Sequence, residues 1–358
     1  DINNEFKKSE ILFNSKSKIT SNINNLKNSN FYILCVPTPI KKNNIPDLKP
    51  LVYAIEAIAK VIDKGDIIFL ESTVYPGVTE DICIKLIEKK TKLKNNRDFY
   101  IGYSPERINP GDKKHTVEKI KKIVAINTDN KDALYKVKKV YRSVSSSIIL
   151  TKNIKEAEAA KVIENIQRDL NIGLFNEIFK MCRKSNLNYK EVVSLASTKW
   201  NFQKYNYGLV GGHCLPVDPY YLAFFAKQNK IKLNIVLAGR KTNNSMSKYF
   251  IRFLKEELKK KLVNYKKDKI IFYGITYKKN VPDIRNSLSI KIINHFNKIN
   301  KNIFVKDPII KDNVFKKLNY KKIDKLNNSS CVIVLVKHND FIKERSFHKL
   351  PIIDVFEN

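Results

Sequence analysis

Glycine is scarce in this chain, with 10 among 358 residues. None of the ten falls into a G-x-G-x-x-G turn, through which a strand presents a helix N-terminus to a pyrophosphate. Long apolar runs are missing too. No stretch approaches the ~20 residues of a membrane span. The opening DINNEFKKSEILFNSKSK carries no apolar signal region and no cleavage site. These features predict a cytoplasmic chain with no membrane partner. The cysteines are Cys35, Cys83, Cys182, Cys214 and Cys331, and they form no C-x-x-C or C-x-H pair. That spacing argues against zinc or any other metal and suits reduced thiols. Four of them sit in apolar strand or helix patterns, where a small buried hydrophobe is expected. Cys214 does not.

Acidic charge is thin: 35 Asp and Glu stand against 68 Lys and Arg, a formal net charge of +33. The lysines are spread over nearly every loop and polar helix face, as in KKIDKLNN and IEKKTKLKNN. No recognisable nucleic-acid-binding motif accompanies them. The excess is read as compositional drift and not as a nucleic-acid footprint. A positive field still favours an anionic substrate and cofactor.

What remains is a globular pattern. Hydrophobic residues make up 43% of the sequence, enough for two or three domains with cores. Short apolar runs at 31–37, 66–73, 98–106 and 121–127 end in turn residues, and a helical segment lies between the first two. Strand–helix–strand alternation predicts parallel βαβ units. From about 153 to 185 the periodicity predicts one long helix with a single interior glycine, and further helices follow. Strand patterns return at 268–277, 301–308 and 330–338, with PIIDVF at the end. The expected fold class is α/β: two Rossmann-like α/β domains joined by a long central helix and an all-helical part. The expected boundaries are 1–150, 151–260 and 261–358.

Two α/β domains suggest nucleotide binding at strand C-terminal ends, yet the glycine loop is absent. Either the chain has no dinucleotide site, or the sequence lacks a first strand, glycine loop and helix. The remaining strands fit the second reading.

The most specific segment is Gly211-Gly212-His213-Cys214-Leu215-Pro216-Val217-Asp218-Pro219. A thiol after a glycine pair sits where a substrate can approach closely, and a carboxylate four residues on suits a water-orienting base. This stretch resembles the active-site loop of the UDP-glucose/GDP-mannose dehydrogenase family. The resemblance runs along the whole chain in order. It includes Cys35-Val36-Pro37-Thr38-Pro39, Glu71-Ser72-Thr73-Val74 with Pro76-Gly77, and Ser104-Pro105-Glu106-Arg107. It continues through Glu158-Ala159-Ala160-Lys161 with Asn165 and Arg168, and then Gly274, Lys278, Asp283, Arg285 and Ser287. Within the family, SPERINPGDKKH and GLVGGHC look most similar to the UDP-N-acetylhexosamine branch, which serves Vi-antigen and O-antigen synthesis. Tyr207 stands where that branch more often has Pro, a change expected to be tolerated on a loop.

The resemblance implies an NAD-dependent, four-electron oxidation of a UDP-N-acetylhexosamine, with UDP-N-acetylglucosamine first in line. Cys214 is the implied nucleophile of a thiohemiacetal and then a thioester. Lys161 and Asn165, four apart on one helical face, would stabilise an oxyanion. Asp218 would orient water, with Glu106 and Thr73 serving the hydrolytic step. Arg168, Arg240, Lys278 and Gly211 are the implied substrate contacts, Arg240 across a homodimer interface. Asp1, Val36, Thr38, Thr73 and Arg285 are the implied NAD contacts. His213 is read as a loop-packing residue. The alternative is a catalytically dead remnant that keeps UDP-sugar binding and dimerisation.

Overall fold

The computed structural model describes residues 19–112, 114–324, 330–343 and 350–356. Asp1 lies outside the described residues. The chain divides into two compact units. Among the described residues, the first holds those from 19 to 166 together with 217–233, and the second holds 167–216 and those from 234 to 356.

The first unit carries β1 (Phe31–Leu34), α1 (Lys49–Ile58), β2 (Asp66–Leu70), α2 (Lys85–Thr91), β3 (Phe99–Tyr103), β4 (Lys122–Ile126), α3 (Lys131–Val144) and β5 (Ile148–Thr151). Its sheet runs β1-β2-β3-β4-β5. Every residue of β2 and β3 is buried. That explains their unbroken apolar runs, which a strand covered on both faces requires. Asn130 caps α3 by accepting the Ala133 N–H. The helix then lays Ala133, Val137 and Tyr141 on a core of Phe69, Tyr100 and Val124.

Strand pairing departs from expectation at one place. β1–β2, β2–β3 and β4–β5 are parallel, but β3–β4 is antiparallel. A parallel return needs a crossover, usually a helix. The link from 104 to 121 contains Pro105 and Pro110 and forms no helix among its described residues. Proline removes the N–H that a helix interior needs. The chain therefore turns back at the C-terminal end of β3, and Lys122 arrives beside the turns that follow β2 and β3.

The helical part contains α4 (Ile154–Lys184), α5 (Tyr189–Ala196), α6 (Asp218–Gln228) and α7 (Asn234–Lys260). The interior glycine of α4 has a packing reason. A Cβ on Gly173 would stand 3.3 Å from the carbonyl oxygen of Gly239, so two backbones approach closely there.

The second unit closes with β6 (Ile270–Tyr273), α8 (Leu288–Ile299), β7 (Ile303–Lys306), α9 (Asp312–Leu318), β8 (Cys331–Val334), α10 (Asn339–Lys343) and β9 (Ile352–Asp354). Its sheet runs β7-β6-β8-β9, all parallel. Phe250, Phe253 and Leu254 of α7 share one core with Ile292 and Phe296 of α8 and Phe272 of β6. The α/β, helical, α/β order matches the sequence reading.

Two local expectations change. Cys83, Cys182 and Cys331 are buried, but Cys35 is exposed, because β1 ends at Leu34 and Cys35 already belongs to the turn. Tyr207 is not a surface loop residue. Its ring stacks on Phe179 at 3.8 Å, and its hydroxyl donates to the Val355 carbonyl at 3.1 Å.

One buried carboxylate pins α4 to the turn after β2. Glu158, fully buried, accepts from Gly77 N–H, Thr79 N–H and the Thr79 hydroxyl at 2.5, 2.9 and 2.6 Å. Burial pushes its carboxyl up to about 7 from 4.5, with the three donors pulling the other way. The folded chain thus keeps a proton that the unfolded chain releases. This contribution is whole below about 4.5 and is lost as pH rises through 7. Glu158→Gln turns an amide NH2 toward a backbone donor, and a loss of about 1–3 kcal/mol is expected. In urea unfolding the gap between wild type and variant should be wider at pH 5 than at pH 8. A gap that is constant or widens with pH would contradict this account.

Candidate active site

The C-terminal ends of β1, β2 and β3 carry three turns that hold one another. Thr38 donates through its hydroxyl to the Thr73 carbonyl at 2.7 Å. Ser72 does the same to the Val36 carbonyl at 2.6 Å. The Tyr221 hydroxyl of α6 donates to the Thr38 carbonyl at 2.9 Å. Proline helps to keep two of the strands from running on: Pro37 and Pro39 follow β1, and Pro105 follows β3. Val36, Thr38 and Thr73 remain partly exposed.

Glu106 curls back onto its own loop, where its Oε1 accepts from the Arg107 and Ile108 N–H groups, both at 2.6 Å. Behind it stands Lys122, whose side chain is 2% exposed. Its Nζ lies 3.0 Å from Glu71 Oε2 and 3.5 Å from Glu106 Oε2. A buried cation is tolerated only with such partners. Arg107 grips Glu164 of α4 with two nitrogens, at 2.5 and 3.1 Å.

α4 contributes Lys161 and Asn165 to this same unit. Lys161 is 7% exposed and has no ion-pair partner among the described residues, unlike the solvated lysines of the surface. Asn165 Nδ2 donates to Asp218 Oδ2 at 2.5 Å. Asp218 is buried in the first turn of α6, where the helix N-terminus favours negative charge. The structure therefore brings Asn165 and Asp218 into contact, and it places Glu106, Thr73 and Lys161 in the same unit.

Cys214 belongs to the second unit, on a loop held at both ends by buried polar groups. Gly208 donates its N–H to Asn176 Oδ1 at 2.7 Å and accepts from Asn176 Nδ2 at 3.1 Å. Asn176 also donates to Asn243 Oδ1 at 2.8 Å, and Asn243 donates to Asp169 Oδ1 at 2.8 Å. Arg240 completes the chain, with its Nη1 2.5 Å from Asp169 Oδ1 and 3.2 Å from the Leu215 carbonyl. Burial raises the Asp169 carboxyl, while Arg240 and Asn243 lower it. Arg240, expected on substrate across a dimer interface, lies buried within its own chain.

Between these anchors the loop docks on the turn after β6. A Cβ on Gly211 would stand 2.8 Å from Tyr277 Cβ and 2.9 Å from the Asn286 carbonyl. Gly212 takes φ +84° with the Tyr277 ring 3.0 Å from where a Cβ would be. Gly212 N–H donates to the Arg285 carbonyl at 3.0 Å, and Asn286 Nδ2 donates to the Gly212 carbonyl at 2.9 Å. Arg285 forks onto Asp283, with Nε at 2.8 Å from Oδ2, and this pairing raises its pKa. Cys214 Sγ lies 3.1 Å from His213 Nδ1.

A cavity of about 750 Å³ opens beside this loop, lined by Gly211 and Leu215 on either side of the thiol's position in sequence. Arg168, Lys190, Lys204, Lys278, Lys279 and Lys337 also line it. Six cations around one cavity suit a diphosphate. Expected substrate contacts Arg168, Lys278 and Gly211 thus share one wall system.

Sequence reasoning missed Lys122, Asp169, Asn176 and Asn243. Their signal was a polar residue at a core-facing position of a strand or helix. His213, read as loop packing, turns out to touch the thiol.

The model of the UDP-glucose/GDP-mannose dehydrogenase family, NAD binding domain, matches residues 7–145. The family's central domain matches 155–245 and its UDP binding domain 271–357. A UDP-N-acetyl-D-glucosamine 6-dehydrogenase of Salmonella typhi is 40% identical over 345 residues, covering 95% of this chain and 81% of the relative. One of Pseudomonas aeruginosa is 43% identical over 295 residues, covering 82% and 69%. The solved structure of a UDP-D-ManNAc dehydrogenase from Pyrococcus horikoshii superposes with a TM-score of 0.82 at 31% identity, over 94% of this chain and 79% of that one.

Removing Asn176 tests the loop anchor. Asn176→Ala leaves the Gly208 N–H and the Asn243 amide oxygen buried without their partner. A loss of about 1–3 kcal/mol is expected, with faster amide exchange across 208–215 and unchanged protection in β6 and β8. Exchange that rises evenly over the whole unit would contradict a local anchoring role.

Proposed function

Because the chain belongs to the UDP-glucose/GDP-mannose dehydrogenase family, we propose that it oxidises C6 of UDP-N-acetylglucosamine to a carboxylate through a thioester on Cys214. It is a nucleotide-sugar dehydrogenase, an oxidoreductase whose cofactor is NAD. The observation that carries the finer reading is the thiol on a rigid glycine loop beside a cation-lined cavity. The relatives at 40% and 43% identity bear the N-acetylglucosamine name, which favours that epimer. We assign the tripartite boundaries 1–150, 151–260 and 261–358 to NAD binding, the helical centre and UDP-sugar binding.

The residues present fit NAD. Partly exposed Val36, Thr38 and Thr73 stand at the C-terminal ends of parallel strands, where an open α/β sheet takes a dinucleotide. Arg285, with its side chain 47% exposed, suits a phosphate of the cofactor. NAD, when bound, accepts the two hydrides of the reaction.

The chain's own residues do the rest. Arg168, Lys278 and their neighbours neutralise the UDP diphosphate, and Gly211 lets the sugar approach the loop. Arg240 acts on substrate through the loop that it holds. Cys214 attacks the C6 aldehyde and later leaves as thiolate. Lys161 and Asn165 stabilise the oxyanion. Asp218, fixed by Asn165, orients water. Glu106 and Thr73 serve the hydrolysis of the thioester.

A homodimer through α4 completes the reading. Ile163, Leu174 and Met181 are 51%, 54% and 49% exposed, and their spacings of 11 and 7 place them on one helical face. A second copy would cover that seam. The product is an activated acidic sugar, a donor for surface polysaccharide such as O-antigen, made in the cytoplasm where Cys214 stays reduced.

Two NADH per UDP-N-acetylglucosamine are expected from the full chain, and none from Cys214→Ala. UDP-sugar binding without NADH from any UDP-hexosamine or UDP-glucose would instead support a binding remnant. Leu174→Glu is expected to halve the mass seen by light scattering. An unchanged mass would remove α4 from the interface.

A further inference from the structure

Adjacent side chains on an extended strand point to opposite faces, yet those of His213 and Cys214 meet at 3.1 Å. The turn explains this. Gly212 at φ +84° bends the chain immediately before the pair. The bend is fixed on one side by the Arg285 carbonyl and Asn286, which hold Gly212. On the other side Arg240 holds the Leu215 carbonyl. The His–Cys dipeptide is therefore positioned by its flanks and needs no reorganisation to bring nitrogen to sulfur. His213 itself is exposed, so it has not been placed there by core packing.

The charged surroundings come from the turn after β6. Arg285 faces Cys214, and Asp283 and Tyr277 face Arg285 in turn. Asp283 spends its carboxylate on the guanidinium through a forked contact. The thiol thus lies in the field of a cation that is already paired with Asp283.

We propose that His213 is a catalytic residue that activates Cys214 by taking its thiol proton. This rests on the thioester reading of Cys214 and adds the base to it. The Sγ–H bond breaks, the proton passes to Nδ1, and a thiolate–imidazolium pair results with no change of redox state. Sulfur then adds to the aldehyde carbon. The C–S bond forms and the carbonyl π pair moves to oxygen. That oxygen takes the proton from the imidazolium, leaving a neutral thiohemiacetal and neutral His213. Thiolate, not thiol, is the nucleophile, so a partner this close sets the pH range in which the chain can react.

The test needs neither NAD nor sugar. The full chain is alkylated with iodoacetamide between pH 5 and 10, and modification is followed at the Cys214 peptide by mass spectrometry. Exposed Cys35 serves as an internal reference. Wild type is expected to react at Cys214 with a midpoint below the ordinary thiol value of ~8.5. His213→Gln, which keeps size and hydrogen bonding but cannot titrate, should raise that midpoint by about one unit. The Cys214 rate near pH 6.5 would then fall ~10-fold, with the pH 10 rate and the Cys35 profile unchanged. His213→Asn should behave as His213→Gln does, and circular dichroism checks that both fold. Superimposable Cys214 profiles would overturn the proposal and return His213 to loop packing, even if the enzyme makes NADH. A shifted profile in a chain that makes no NADH would uphold the pair while the dehydrogenation reading fails.

Discussion

The buried contact between Arg240 and Asp169 is the constraint on which the thiol's position depends. The loop from 206 to 211 has no regular secondary structure, so no ladder of backbone bonds fixes it. Its place is set by side chains that reach it from α4 and α7. Arg240 takes the Leu215 carbonyl and Asn176 takes both backbone groups of Gly208. Asp169 and Asn243 connect the two. Burying such a pair is a weak source of stability, since desolvation can exceed the Coulombic gain. What the chain of contacts supplies is uniqueness: a shifted loop would strand buried polar groups. Tyr207 adds an apolar lock at the same end by stacking on Phe179.

The first unit solves a related problem by reversing a strand. Had β4 followed β3 in parallel, its first residue would have entered at the opposite end of the sheet. The antiparallel return instead delivers Lys122 between Glu71 and Glu106. A lysine with a side chain 2% exposed then holds two carboxylates from two different turns. Glu158 ties the turn after β2 to α4 as well. Partly exposed Thr38 and Thr73 are thereby built on backbone that cannot drift.

Much of this was legible in the residues, and the limits have physical causes. The α/β, helical, α/β order could be read because buried parallel strands are apolar throughout and α4 keeps its period for 31 residues. Strand ends could be read from proline. The β3–β4 reversal could not, because periodicity reports which residues are strands and is silent on their direction. Cys214, Asn165 and Asp218 were singled out because local motifs carry them. Asp169, Asn176 and Asn243 were missed because each is one polar residue in a helix, and only the partner 32 to 74 positions away gives it meaning. His213 is a subtler case. Sequence places it beside Cys214, but the backbone turn at Gly212 decides whether the two side chains can meet.

The large positive charge acts on a different scale from these contacts. A formal +33 raises the potential around the whole chain, but salt screens it within about 8 Å. Such a field speeds the arrival of an anionic sugar nucleotide and does not orient it. Orientation needs fixed groups, and the acids that fix them are buried: Glu158, Asp169, Asp218 and Asp283. Each is engaged by named donors. Lysine enrichment on the surface leaves these interior pairs untouched, because an exposed lysine gains and loses little by its neighbours. A surface can therefore drift far in charge while these buried acids and their donors stay in place.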